Sequence, residues 1–180
     1  LRAGDALAAG KIAHLERADV FYVPDAQRSH FKRYVFDRMN EAGLDVKVKA
    51  NVLRESSITL AEEIFEKQDV EEALNDSREL ITNFIDFMEE EPTAMSYLVG
   101  LSSHDFYTYN HSLDVAIYSL GLGQILGYSG DDITELGRGA LFHDIGKRHV
   151  KAEIICKQGP LDDTEWVQMQ KHPQYGLKIL

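Results

Sequence analysis

Cysteine is nearly absent from the sequence, and this excludes one class of fold. Cys156 is the single cysteine in 180 residues, so the chain has no internal disulfide framework and fits a reducing compartment. Long apolar runs are also missing, and none of the stretches present is long enough to cross a membrane. No signal-peptide pattern follows Leu1. We therefore expect a cytoplasmic protein without a membrane span.

Positive charge is scarce as well. The sequence has 19 Lys and Arg against 30 Asp and Glu, for a formal net charge of −11. A nucleic-acid polymer needs a surface of clustered Lys and Arg, so we do not expect such a partner. A substrate that carries phosphate would need local positive charge, which a pair of metal ions can supply.

The composition that remains is that of a globular protein with a core. Hydrophobic residues make up 44% and charged residues 27% of the chain, and the length suits one domain or a domain with an appendage. The chain starts at a leucine and stops within a helical pattern, GLKIL. We therefore expect it to be a fragment cut at both ends.

Three regions follow from the hydrophobic pattern. Residues 1–50 predict a partial α/β module, regulatory in role, with a short strand over 20–23 that Pro24 ends and a helix that Asp25 begins. Residues 51–92 predict a helical connector, with apolar residues at steps of three and four and a capping box at Thr59 and Glu62. Its many acidic residues indicate a solvated face, and the alternative is a signalling or dimer helix between two modules.

Residues 93–180 predict a compact helical domain. One helix is expected from about Tyr107 to Leu126, where Gly127 ends it, and the next from Asp131 or Asp132 to about Lys147. Two further helices are expected, one capped by Asp162 or Asp163 and running through Trp166 and Met169, the other with Pro173 in its first turn. The fold class is therefore mainly α, with a helical domain that follows a small α/β module.

The stretch GALFHDIGKRHV places polar groups on an apolar helix face. Helical spacing puts His143 and Lys147 on the face that carries Ile133 and Ala140, with Asp144 about 100° round the helix. Burial of unpaired polar groups costs on the order of 2–7 kcal/mol. These groups must therefore satisfy one another and the backbone, or bind something.

Two more histidines occur on separate predicted helices. His111 opens an apolar stripe through Val115, Tyr118 and Leu122, and His172 precedes Pro173. Helical bundles build metal sites from histidine and carboxylate groups on different helices, and such ligands suit Fe, Mn or Zn. Any one histidine alone is more simply a core or surface residue, which is our interpretation of the remaining ones: His14, His30 and His149. Trp166 is expected to anchor the core and Cys156 to be a small buried side chain.

Three segments of the sequence occur in an order and at intervals that match a known family: DFYTYNHS (105–112), LFHDIGK (141–147) and EIICKQGPLDDTEWVQMQKHPQYGLKIL (153–180). They resemble the HD-GYP phosphodiesterases, a branch of the HD superfamily of metal-dependent phosphohydrolases. The resemblance implies that His111 is the isolated first ligand, that His143 and Asp144 are the paired motif with Asp144 bridging two metals, and that His172 binds the second metal. It implies that Lys147 contacts the substrate phosphate and that Asp105 and Thr108 support the first histidine.

The resemblance also implies an activity. The family hydrolyses cyclic diguanylate with a metal-activated water, so Asp144 and Lys147 would be catalytic and the cofactors would be two divalent ions, iron or manganese. Tyr107 stands where some members have a glutamate for a third metal. The family's HHExxDGxGYP segment is not in the chain, which keeps a degenerate module that binds nucleotide or protein as an alternative, ahead of an HD hydrolase acting on mononucleotides. A homodimer or a signalling partner is also expected.

Overall fold

The computed structural model describes residues 43–67, 69–101 and 108–180, together with the single positions 27, 30, 34 and 37. Within these residues the regular structure is helical, which confirms the mainly α fold class. The predicted strand over 20–23, most of the helix after Asp25, and residues Asp105 and Tyr107 lie outside the described residues. The helices are α1 Val46–Glu66, α2 Val70–Glu90, α3 Ala94–Gly100, α4 Thr108–Ile125, α5 Gly130–Phe142, a 3₁₀ helix Ile145–His149, α6 Ala152–Ile155, α7 Asp163–Met169 and α8 His172–Ile179.

The chain divides into two compact units, residues 1–38 and residues 39–180. The second unit contains all the helices given above. The α/β character of the N-terminal module and the predicted boundaries at 50 and 92 stay predictions. None of the described helices is both long and apolar enough to span a bilayer.

The predicted connector consists of two helices. Asp45 caps α1 by accepting a hydrogen bond from the backbone N–H of Lys47, and Asp69 caps α2 in the same way through Glu72. The capping box predicted at Thr59 and Glu62 is wrong, because both residues lie inside α1. The pattern Thr-x-x-Glu also occurs within helices, so the signal was not specific.

The core lies where α1 and α2 pack against α4 and α5. Its fully buried side chains include Ile64, Ile81, Phe84, Leu98, Leu113, Ile117, Leu120 and Leu141. Gly137 lets the helices approach closely, because a Cβ there would lie 2.8 Å from side-chain atoms of both Ile81 and Leu120. The helix that leads to His143 is thus fixed against two others.

Several predicted helix boundaries are confirmed. α4 is described from Thr108 and ends at Ile125, close to the predicted end, and Gly127 follows with a φ of 83°, a conformation that favours glycine. Asp162 caps α7 in a capping box with Glu165, and Pro173 lies in the first turn of α8. The predicted extension of α5 to Lys147 is wrong, since α5 ends at Phe142 and a 3₁₀ helix follows.

Three predicted buried groups are exposed. The α4 stripe that begins at His111 faces outward, with Leu122 58% exposed, because the neighbouring stripe through Leu113, Ala116, Ile117 and Leu120 faces the core. Trp166 is 53% exposed on the short helix α7, of which no residue is buried. Cys156 is exposed as well. Burial predicted from residue type and spacing alone is therefore wrong for these side chains.

Candidate metal centre

A buried carboxylate lies at the turn where α5 ends. His143 is the C-cap of α5 and Asp144 is the N-cap of the 3₁₀ helix, with Asp144 3% exposed. The tight turn brings the Lys147 ammonium to 2.5 Å from Oδ2 of Asp144. His143 and Lys147 therefore both face the carboxylate of Asp144, whereas the sequence predicted that these two residues share one face of a continuous helix with Asp144 about 100° round it.

The two oxygens of Asp144 face different histidines. Oδ2 lies 3.1 Å from Nε2 of His143 and 3.7 Å from Nε2 of His111, whereas Oδ1 lies 3.3 Å from Nε2 of His172. One ligand atom each from His111, His143 and Asp144 lies within 4.8 Å of the other two. Three helices thus bring the four predicted metal-binding side chains to one place.

Backbone carbonyls fix the orientation of two of these imidazoles. Nδ1 of His143 donates a hydrogen bond of 2.7 Å to the carbonyl of Ala140, and Nδ1 of His172 donates one of 2.8 Å to Met169. With Nδ1 bonded to a carbonyl, Nε2 is the ring nitrogen that faces Asp144, and on loss of its proton it has a lone pair for a metal. Metal-binding histidines are typically oriented in this way, so the donor set fits a divalent ion such as Fe, Mn or Zn.

Charges at the centre compensate one another. Burial disfavours the charged form of Asp144, but hydrogen bonds from His143 and Lys147 outweigh it and hold the pKa of this carboxyl well below its usual range. The hydrogen bond to Asp144 raises the pKa of His143. A bound metal would take the place of the proton on Nε2 of His143, so metal binding and proton release are linked.

Two glycines determine where His172 lies. A Cβ at Gly146 would lie 1.9 Å from the carbonyl oxygen of His172 and 2.5 Å from the backbone nitrogen of Gly176. The 3₁₀ helix and α8 therefore pack backbone against backbone, with Gly176 buried. This contact lets His172 reach Asp144. The sequence shows both glycines, but the contact between them is visible only in the structure.

A buried ion pair lies one helical turn after His111, and it was not predicted from the sequence. Arg54 of α1 is 2% exposed, its Nη2 lies 2.8 Å from Oδ1 of Asp114, and its Nε donates to the carbonyl of Leu101 at 2.9 Å. Asp114 follows His111 by one helical turn. Burial raises the pKa of the Asp114 carboxyl. The pair ties α1 to the helix that carries His111, and its only sequence signal is a charged residue on the inner face of each helix.

The remaining predicted residues have less specific positions. Thr108 begins α4 one turn before His111. His149 packs edge to face on Tyr175, and His30 is exposed.

The chain is similar to several known proteins. The HD domain family matches residues 108–180. The chain is 38% identical over 89 residues to the cyclic di-GMP phosphodiesterase PA4108 of Pseudomonas aeruginosa, which covers 49% of the chain and 22% of that protein. It is 39% identical over 94 residues to 3'3'-cGAMP-specific phosphodiesterase 3 of Vibrio cholerae, over 52% of the chain and 20% of that protein. The chain thus spans about a fifth of the length of these relatives.

A solved structure has the same fold. Bd1817, an HDG"Y"P protein from Bdellovibrio bacteriovorus, superposes with a TM-score of 0.72 over 99% of this chain and 61% of that chain, at 23% sequence identity. The superposition includes the helices that carry His111, His143, Asp144 and His172. The family match, the related sequences and the shared fold thus show a likeness of residues 108–180 to the HD domain and of the chain's fold to that of Bd1817.

Proposed function

We propose that this chain forms the metal-binding part of a cyclic-dinucleotide phosphodiesterase that acts on cyclic diguanylate in the cytoplasm. The observation that carries the proposal is Asp144, whose two oxygens face histidines of different helices. A carboxylate placed in this way can bridge two divalent ions. The names of the curated relatives, which are phosphodiesterases of cyclic di-GMP or cGAMP, support the substrate class.

The proposed ligands can be assigned to two ions. His111 and His143 share Oδ2 of Asp144 and would hold one ion, whereas His172 and Oδ1 would hold the other. Iron and manganese are the ions that we propose, since both accept imidazole and carboxylate ligands. When bound, such a pair lowers the pKa of a water molecule and polarises the phosphodiester.

Lys147 supplies the charge that the protein itself offers to the phosphate. Its ammonium lies at 2.5 Å from Asp144 and is partly exposed. A metal held by Asp144 would compete with Lys147 for the carboxylate, and the ammonium would then be available for a phosphate oxygen. Positive charge placed in advance near the reacting phosphate stabilises the transition state electrostatically.

Hydrolysis of cyclic diguanylate by the protein loaded with iron or manganese tests the proposal, with the linear dinucleotide followed by chromatography. We expect Asp144→Asn to abolish turnover and to reduce the bound metal, while the helical circular-dichroism spectrum stays unchanged. Asp132→Asn removes an exposed carboxylate from the first turn of α5 and serves as the matched control. Full turnover in Asp144→Asn would contradict the assigned role. Tight binding of the nucleotide without hydrolysis by the unmodified protein would support the degenerate binding module instead.

A further inference from the structure

An open cleft lies directly beside the metal centre. The cleft has a volume of about 430 Å³, and Lys147 is one of the residues that line it. The other lining residues come from the end of α1, the start of α4, the 3₁₀ helix and α6: Phe65, Glu66, Thr108, Arg148 and Ile155. The cleft therefore joins residues 108–180 to a helix that precedes them.

Arg148 carries a positive charge into this cleft without a carboxylate partner. Its guanidinium donates one long hydrogen bond of 3.4 Å to the carbonyl of Lys67, the C-cap of α1. No ion pair to Arg148 occurs among the residues that the structure describes, whereas Lys147 is paired with Asp144. A guanidinium has five N–H donors in a planar fork that suits phosphate, and most of those of Arg148 remain available to a ligand.

A cyclic dinucleotide brings two phosphodiesters to the protein in one ring. If one of them lies at Asp144 and Lys147, the other must lie nearby, on a protein whose net charge is −11. The carboxylate of Glu66 repels a phosphate on its side of the cleft. Arg148 is adjacent to Lys147 in the chain and lines the same cleft, so it is the group placed to accept that second phosphate.

We propose that this cleft is the subsite for the non-reacting half of the cyclic dinucleotide, and that Arg148 binds its phosphodiester. This proposal rests on the proposed function, because it takes the scissile phosphate to lie at the metal centre. Arg148 would thereby distinguish substrates with two phosphodiesters from those with one.

Two substrates distinguish binding of the second phosphodiester by Arg148 from hydrolysis at the metal centre. Cyclic diguanylate has two phosphodiesters, whereas bis(4-nitrophenyl) phosphate has one and needs only the metal centre. For Arg148→Ala in the metal-loaded protein, we expect KM for cyclic diguanylate to rise about tenfold or more, as for loss of a charge-assisted hydrogen bond. We expect kcat to change little and hydrolysis of bis(4-nitrophenyl) phosphate to stay unchanged. Arg148→Lys should restore part of the loss in KM.

Lys151→Ala provides the matched control. Lys151 is exposed, carries the same charge three residues later and does not line the cleft, so its replacement should leave both reactions unchanged. An unchanged KM in Arg148→Ala, or an equal loss on both substrates, would overturn the subsite.

Failure of the proposed function would give a different result from failure of the Arg148 subsite. If the unmodified protein hydrolyses neither substrate, the phosphodiesterase proposal fails, and calorimetric binding of cyclic diguanylate decides the subsite. An affinity about tenfold weaker in Arg148→Ala would then support the subsite. Equal affinity, or no binding to the unmodified protein, would overturn it.

Discussion

At the scale of single residues, Gly146 gives the sharpest prediction. Gly146→Ala would place a methyl group 1.9 Å from the carbonyl oxygen of His172, so the 3₁₀ helix and α8 must separate. We expect His172 to move away from Asp144 and the protein to retain less metal, as measured by elemental analysis after dialysis.

Gly139→Ala is the control for this change. Gly139 lies in α5, close to the same site, and a Cβ there would meet no atom within 4 Å. Alanine should therefore preserve metal content and stabilise the helix by about 0.5–1 kcal/mol. Equal metal content in the two variants would show that the glycine contact does not position His172.

The residue scale also gives a prediction about pH. The backbone N–H of Glu165 lowers the pKa of Asp162, and a hydrogen bond from Lys157 lowers the pKa of Glu165. A carboxyl whose pKa is lower in the folded than in the unfolded state stabilises the fold above about pH 4, and this contribution is lost as the pH falls through the folded pKa. Carbon NMR titration of the two carboxyls should give midpoints below their usual values. Midpoints at or above those values would mean that the cap does not persist in solution.

At the scale of helices, the Arg54–Asp114 pair controls how α1 packs on α4. Replacement of Arg54 by methionine leaves Asp114 buried without a counter-charge, and we expect the free energy of unfolding to fall by about 3–5 kcal/mol. The double variant Arg54→Met, Asp114→Leu should recover most of this loss, because neither charge then remains buried. Urea denaturation of the two single variants and the double variant measures the coupling.

An exposed ion pair is the comparison for that experiment. Arg78 of α2 pairs with Glu135 of α5 at 2.8 Å, with both side chains about half exposed. Arg78→Met should cost no more than about 1 kcal/mol. A cost for Arg54→Met as small as that for Arg78→Met would contradict the assignment of a tightly buried pair.

At the scale of the whole molecule, the proposed ligands come from distant parts of the chain, so only the folded unit could bind metal through all of them. His111 lies on α4, His143 and Asp144 follow α5, and His172 begins α8. Ligands that bind only the folded state stabilise it by about 2.7 kcal/mol at a concentration of 100 times Kd. We expect manganese or ferrous ion to raise Tm and a chelator to reverse the gain. His172→Ala should reduce this increase, and an unchanged Tm in the presence of both ions would contradict a metal centre.

The helical fold of the described residues and the residues that meet around Asp144 could be predicted from the sequence. The distances between these residues and the path of the backbone around them could not. The end of α4 before Gly127 and the cap at Asp162 follow from local chemistry, which one segment of chain contains. The early end of α5 accompanies contacts of Asp144 with Lys147 and with histidines from other helices, and these distant contacts cannot be predicted from the local sequence. The burial of Arg54 against Asp114 depends in the same way on contacts between residues far apart in the chain.

The main-chain hydrogen bonds of His143 and His172 bear on how such a site evolves. Every residue type supplies a backbone carbonyl, so the side chains of Ala140 and Met169 can be exchanged without loss of the acceptor that orients each ring. The interval of three residues between histidine and carbonyl is therefore under stronger constraint than the identity of these neighbours. Distant homologues should preserve that interval at the ends of α5 and α7 even after the intervening sequence has diverged beyond recognition.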